Sequence, residues 1–222
     1  MVVLATKVYV EGEARRRTLS SLESLIDNAI GELSVTYELG VRHDDFPSVT
    51  VEGPDATAAR NLLREEWGAI LPNPRSSSEA VGTLESWDED GFILDAGADI
   101  RIPIEGLGLG EGTPSQIRTR FGLVQHLPLR FVPGDDPGLA SAERDRLFGW
   151  TRETGGRVNV NSSTRAEVRA TVNRAGHADD IVTVERLGLL EQSIVCKPDT
   201  DPPGLLASIG SYLPAELLAV VP

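Results

Sequence analysis

Two breaks rich in turn-forming residues cut this chain into thirds: LPNPRSSSEA at 71–80, with two prolines and a serine triplet, and GDDPG at 134–138. A chain of 222 residues divided in this way is expected to fold as three small units, 1–71, 80–133 and 139–222, each burying its own apolar faces. Within the first, residues 2–10 carry Val3, Val8, Tyr9 and Val10 and read as a strand. Ser20 followed by Glu23 is a capping-box pattern, and Leu22, Leu25, Ile26, Ala29, Ile30 and Leu33 keep a helical stripe after it. Two extended segments, 35–41 and 48–52, flank the polar turn RHDDFP, and Pro54 opens a helix with Ala59, Leu62, Leu63, Glu66, Trp67 and Ile70 on one face. The order is β-α-β-β-α.

That order recurs at the other end. After a charged helix at 140–150, residues 157–161 form a strand, and Thr164 with Glu167 caps a helix stopped by Gly176. Segments 180–187 and 191–197 are strands and 204–213 is a last helix, so the likeness between the end units lies in element order alone. The middle differs: short strands at 82–87, 92–96 and 100–104, a strong hairpin signal at Asp90-Gly91, a glycine-rich bend at 106–112, a short helix at 114–121 and a strand at 127–132. Short strands with a helix before the last suit a small Greek-key barrel. The expected fold class is α+β, with two β-α-β-β-α modules flanking a small OB/S1-like β-barrel.

The central segment VGTLESWDEDGFILDAGADIRIPIEGL resembles an S1-type RNA-binding OB domain in Gly82, Gly91-Phe92-Ile93, Asp95-Ala96-Gly97 and the stretch 102–107. The resemblance implies that Phe92 stacks a base, with Trp87, Arg101, Arg118 and Arg120 as neighbours. The alternative is that Phe92 and Trp87 fill a small core. This sequence departs from the S1 pattern at the insertion GLGLGEGTPSQ and in having no lysine on that face. Over its whole length the chain resembles the archaeal family catalogued as domain of unknown function 2110, through GVRHDDFPSVTVEGPDATAARNLLREEWG at 40–68 and RVNVNSSTRAEVRATVNRAGHADDIVTVERLGLLEQSIVCK at 157–197. That resemblance carries over no reaction, cofactor or catalytic residue, and it implies a haloarchaeal cytoplasm.

Charge enters here. There are 34 acidic against 21 basic residues, a formal net charge of −13, and Lys7 and Lys197 are the two lysines. An acid-rich, lysine-poor chain suits molar salt, where screening shortens to about 3 Å; an ordinary acidic cytosolic protein has the same sign. No apolar run approaches a membrane span and no cationic leader precedes the first apolar stretch, so a cytoplasmic location without membrane contact is expected. The single cysteine, Cys196, excludes an internal disulfide and a multi-cysteine zinc site.

In the last unit Arg165 and Arg169 stand at i, i+4 on one helical face, a spacing that meets adjacent phosphates or belongs to a solvated face beside Glu167. Asn159, Asn161, Asn173 and His177 offer groups for base reading or turn capping. There is no GxxG clamp and no ribonucleoprotein aromatic motif. Catalytic patterns are weaker still. His43-Asp44-Asp45 and His177-Ala178-Asp179-Asp180 read as turns, Cys196 as a buried thiol, and the glycines 106, 108, 110 and 112 lack phosphate-loop spacing. No catalytic residue, metal ligand or cofactor is assigned, and an enzyme is not favoured. The expectation is a non-catalytic RNA-binding protein of translation, ribosome biology or RNA processing; the alternative is an adaptor docking a ribosomal or transcription partner.

Overall fold

Alternating side chains build the first sheet. In the computed structural model, which describes residues 1–74 and 77–222, strands β1 (Val2–Val3), β2 (Thr36–Val41) and β3 (Pro47–Glu52) pair antiparallel in the order β1-β3-β2. Val49 faces Val2 on one side and Leu39 on the other, which puts the apolar set of β3 on one face. Helices α1 (Gly12–Ile30) and α2 (Ala56–Trp67) cover that face with Leu22, Ile26 and Ile30, and with Ala59, Leu63 and Trp67. Two local expectations change. The strand expected over 2–10 forms a ladder at Val2 and Val3, with Leu4 bridging Ala69; after it Leu4, Ala5 and Val8 pack within the first unit while Thr6, Lys7 and Tyr9 bond the other two. Helix α1 begins at Gly12, so the Ser20–Glu23 box lies inside it; the helix-favouring run from Glu13 to Leu19 carries the helix upstream.

The last sheet repeats this plan more closely than element order required. Strands β9 (Arg157–Val160), β10 (Ile181–Arg186) and β11 (Gln192–Cys196) pair antiparallel, again first with third and third with second. Helices α6 (Arg165–Arg174) and α7 (Pro202–Ile209) pack on it, and the Thr164–Glu167 capping box is formed. A strand absent from the sequence reading, β12 (Leu217–Val220), adds to the free edge of β9. Four apolar residues carry too short a period to separate a strand from a helix end.

Between them, β4 (Ala80–Asp88), β5 (Gly91–Asp95), β6 (Asp99–Pro103), β7 (Pro128–Val132) and β8 (Gly138–Leu139) make one antiparallel sheet in the order β6-β5-β4-β7-β8, curled into a half-barrel. A register shift between Leu84 and Ser86 bends β4. Gly91 turns the β4–β5 hairpin at φ 152°, where a side chain would strike the Ile102 carbonyl. Helices α3 (Ile104–Leu107), α4 (Pro114–Phe121) and α5 (Ser141–Trp150) close the half-barrel around Phe92, Leu94, Ile102, Phe121 and Phe131. The boundary expected at 139 falls inside this unit: β8 pairs with β7, and Leu147 and Trp150 of α5 join its core. Of the break expected at 71–80, Arg75 and Ser76 lie outside the described residues.

Candidate functional site

The ring expected to stack a base is inside the molecule. Phe92 is fully buried, opposite Trp87 on β4 and Ile102 on β6. This corrects the sequence reading, because the inner face of a curled sheet is filled by its own side chains and leaves no room for a base. Arg118 is buried too, 3.7 Å over the half-buried Trp87 ring and ion-paired with Glu216, so it seals the barrel against the last unit. Arg101 is exposed, but both its terminal nitrogens donate to Asp88 at 2.7 Å, and that guanidinium holds the Asp88 carboxyl down at about 2. Arg120 donates to the carbonyls of Leu109 and Glu111 and pins the glycine-rich bend. The cavity beside Arg101, about 430 Å³, includes Asp99 and Asp135 in its wall.

A second region gathers cationic side chains from the central and last units against the wall of the first. The capping box starts α6 at Arg165, which puts Arg165 and Arg169 one turn apart on an exposed face. Arg186, at the end of β10, reaches back to the first unit: its guanidinium lies 4.4 Å over the Trp67 ring and pairs with Glu66. Arg157 on β9 is buried 4.8 Å from the Trp150 ring and donates to Glu153, to Glu185 at 3.2 Å and to Ser193 at 3.0 Å. Arg146 of α5 approaches the same tryptophan at 5.0 Å and pairs with Glu143. Guanidinium groups stacked on indoles have their planes held in one orientation.

These side chains line three adjoining cavities of about 560, 580 and 300 Å³. The first two share Arg165 and Arg186, and the last two share Arg146 and Leu187, so together they form one groove. Six arginines (130, 146, 157, 165, 169 and 186) stand along it against four glutamates (66, 143, 153 and 185). The groove wall is thus net positive in a chain whose formal charge is −13. Of the expected site residues it brings together Arg165 and Arg169, and leaves Phe92, Trp87, Arg101, Arg118 and Arg120 elsewhere. The sequence places Trp67 on an apolar helix face and gives no sign of its role in the groove, and nothing local distinguishes Arg130 and Arg146 from other surface positions.

Beneath the groove the units are pegged together by polar contacts. Lys7 donates to Glu85 at 2.8 Å and sits 2.7 Å from Asp95. Burial opposes the Lys7 charge, but those two carboxylates raise its pKa overall. Glu85 is held down at about 2, by its hydrogen bond with His126 first and by Lys7 next. Tyr9 stacks on His126 at 4.0 Å, donates to Glu191 at 2.8 Å and accepts from the Ser162 amide at 2.8 Å. Full burial pushes the Glu191 carboxyl up to about 8 and also raises the Tyr9 hydroxyl. His126 and Ser162 hold positive φ of 66° and 55° at this junction.

The other candidates stay structural in their surroundings. His43 lies in the β2–β3 turn, where Asp44 pairs with Arg42, and His177 bonds Asp180 and Ser208. Asn159 and Asn161 donate to the Gly122 and Gln125 carbonyls, and burial raises the Cys196 thiol to about 11. Among the described residues no three His, Cys, Asp or Glu are grouped to hold a metal ion, and no helix is long and apolar enough to cross a membrane.

Family models for the DUF2110 N-terminal, central and C-terminal domains match residues 1–73, 75–151 and 155–221. The gap between the last two matches follows the end of α5, whose Leu147 and Trp150 belong to the central core. No curated protein and no solved structure matches the chain.

Proposed function

The chain belongs to the DUF2110 family, and we propose that it binds RNA without catalysing a reaction, holding the strand along the arginine groove where its three units meet. One observation carries the reading: a groove lined by six arginines and four glutamates in a chain of formal charge −13. A strongly acidic protein repels phosphate over most of its surface, so a strand is drawn to the stretch where the sign reverses. Guanidinium groups meet phosphate oxygens in bidentate fashion and do not read sequence, which makes this contact general for RNA.

In the same proposal the half-barrel is an OB barrel of the S1 kind. Its support is the strand order β6-β5-β4-β7-β8 with α4 placed before the fourth strand. On such barrels the second and third strands and the last loop face nucleic acid; here that face carries the Asp88–Arg101 pair with Asp99 and Asp135. The strand therefore runs in the groove instead. The setting is a haloarchaeal cytoplasm, in translation, ribosome biology or RNA processing. In molar KCl counterion release adds little, and hydrogen bonds to the arginines carry the affinity.

The test is fluorescence anisotropy with labelled oligoribonucleotides across a KCl series. Arg165→Glu with Arg169→Glu is expected to weaken binding about a hundredfold at low salt, while Arg101→Ala leaves it unchanged. Equal affinity of the native chain and the double variant removes the groove from the account.

A further inference from the structure

The cavity of about 560 Å³ between α1 and α6 differs from the rest of the groove, because no acidic residue lines it. Its walls are Leu25 from α1, Leu189, and three arginines, 165, 169 and 186. Arg165 uses its Nε on the Val184 carbonyl, which leaves its terminal nitrogens available. Among the described residues no hydrogen bond or ion pair engages Arg169. Arg186 is steadied by Glu66 and the Trp67 ring. The acid on α6 nearest in sequence, Glu167, is tied to Arg17 at 2.9 Å and to the Thr164 cap.

Gln192 supplies an independent observation. It is fully buried and lines this cavity, and its Nε2 donates to the Ser163 carbonyl at 3.2 Å and the Leu189 carbonyl at 3.1 Å. With both amide hydrogens engaged by carbonyls, the orientation of the amide is settled and Oε1 is the end left over. That oxygen is buried without a donor. A buried acceptor without a partner is uncommon in a folded chain, and this one belongs to a residue that lines the cavity.

Resting on the RNA reading, we propose that this cavity is a nucleotide pocket, in which Arg165, Arg169 and Arg186 hold a phosphate, Leu25 and Leu189 flank the base, and Gln192 Oε1 accepts from the base's exocyclic amine. The volume is within the range of sites for small ligands. A pocket of this kind gives the groove one position where a base, and not phosphate alone, is recognised.

Isothermal titration of the native chain with AMP, and with purine riboside 5′-monophosphate, which lacks the amine, tests it. AMP is expected to bind saturably at submillimolar concentration, with the deaminated analogue and the Arg169→Glu variant each weaker by about tenfold. Arg169 is exposed, so that variant leaves the fold intact, and the ligand comparison needs no variant at all. No AMP binding by native protein that still binds oligoribonucleotides overturns the pocket and leaves the groove standing. Equal affinity for AMP and its deaminated analogue overturns it as well.

Discussion

In both end modules the first strand pairs with the third and the third with the second, yet the two first strands lead different lives. β9 runs for four residues between β11 and β12, and its polar side chains are buried because each finds a partner: Arg157 with Glu153, Glu185 and Ser193, Asn159 with the Gly122 carbonyl. β1 has two residues, and the buried chain after it forms no ladder. Lys7 and Tyr9 instead bond Glu85 and Asp95 of the central unit and Glu191 and Ser162 of the last. One module uses its first strand as the middle of a sheet; the other keeps a two-residue edge strand and uses the chain after it as a peg between neighbours. Topology therefore repeats while the work of equivalent positions does not, and what decides that work is which unit docks there.

Removing the peg is the strongest way to break this comparison. Lys7→Met leaves Glu85 and Asp95 facing each other without their cation. It is expected to lower unfolding stability by about 2–3 kcal/mol, below the figure for a fully enclosed pair because Glu85 is partly exposed. Urea denaturation reads the change, and a loss under about 1 kcal/mol means the contact is ornamental.

Titration sharpens the same point. Burial holds the Glu191 carboxyl up at about 8 in the fold against an ordinary 4.5, so the folded chain keeps a proton that the unfolded chain has released. Its contribution is complete below about 4.5 and is lost as pH rises through about 8. Glu85, held at about 2, acts in the opposite direction and only at lower pH. Melting temperatures of the native chain are expected to fall from pH 5 to 8, and Glu191→Gln, which keeps an acceptor for Tyr9, is expected to flatten that slope. A slope identical in the variant would place the titration elsewhere.

The smallest effect concerns the seat of β12. Gly122 holds φ 63° at the end of α4, and a side chain there would lie 2.5 Å from Val220 and 2.9 Å from Asn159. Gly122→Ala is expected to destabilise by about 1–2 kcal/mol, read from the thermal midpoint. Unchanged stability would mean that the last strand does not pack against α4 as closely as β9 packs against β11.

Much of the fold was legible because its signals are local. Alternation in β3, the Asp90-Gly91 turn and the Thr164–Glu167 box each act within a few residues, and each formed as read. Ser20 and Glu23 carry an equally local signal and failed, since the helix-favouring run before them extends α1 past the box. Phe92 marks a different limit. Period-two alternation separates the two faces of β5 but does not say which becomes the interior of a curled sheet. β12 was invisible for want of length.

What the chain by itself determined is the presence of three units, most of the element order within them and an acidic composition with few lysines, all set by neighbouring residues. Where the arginines meet was decided by tertiary structure. Trp67 comes from the first unit, Arg146 from the central one and Arg165 and Arg186 from the last, and they share a groove because the loop before β11 inserts Leu189 into the first module's core and Arg186 reaches the indole beside it. The interactions that bring them together act through space between residues remote in sequence, and no short pattern records them.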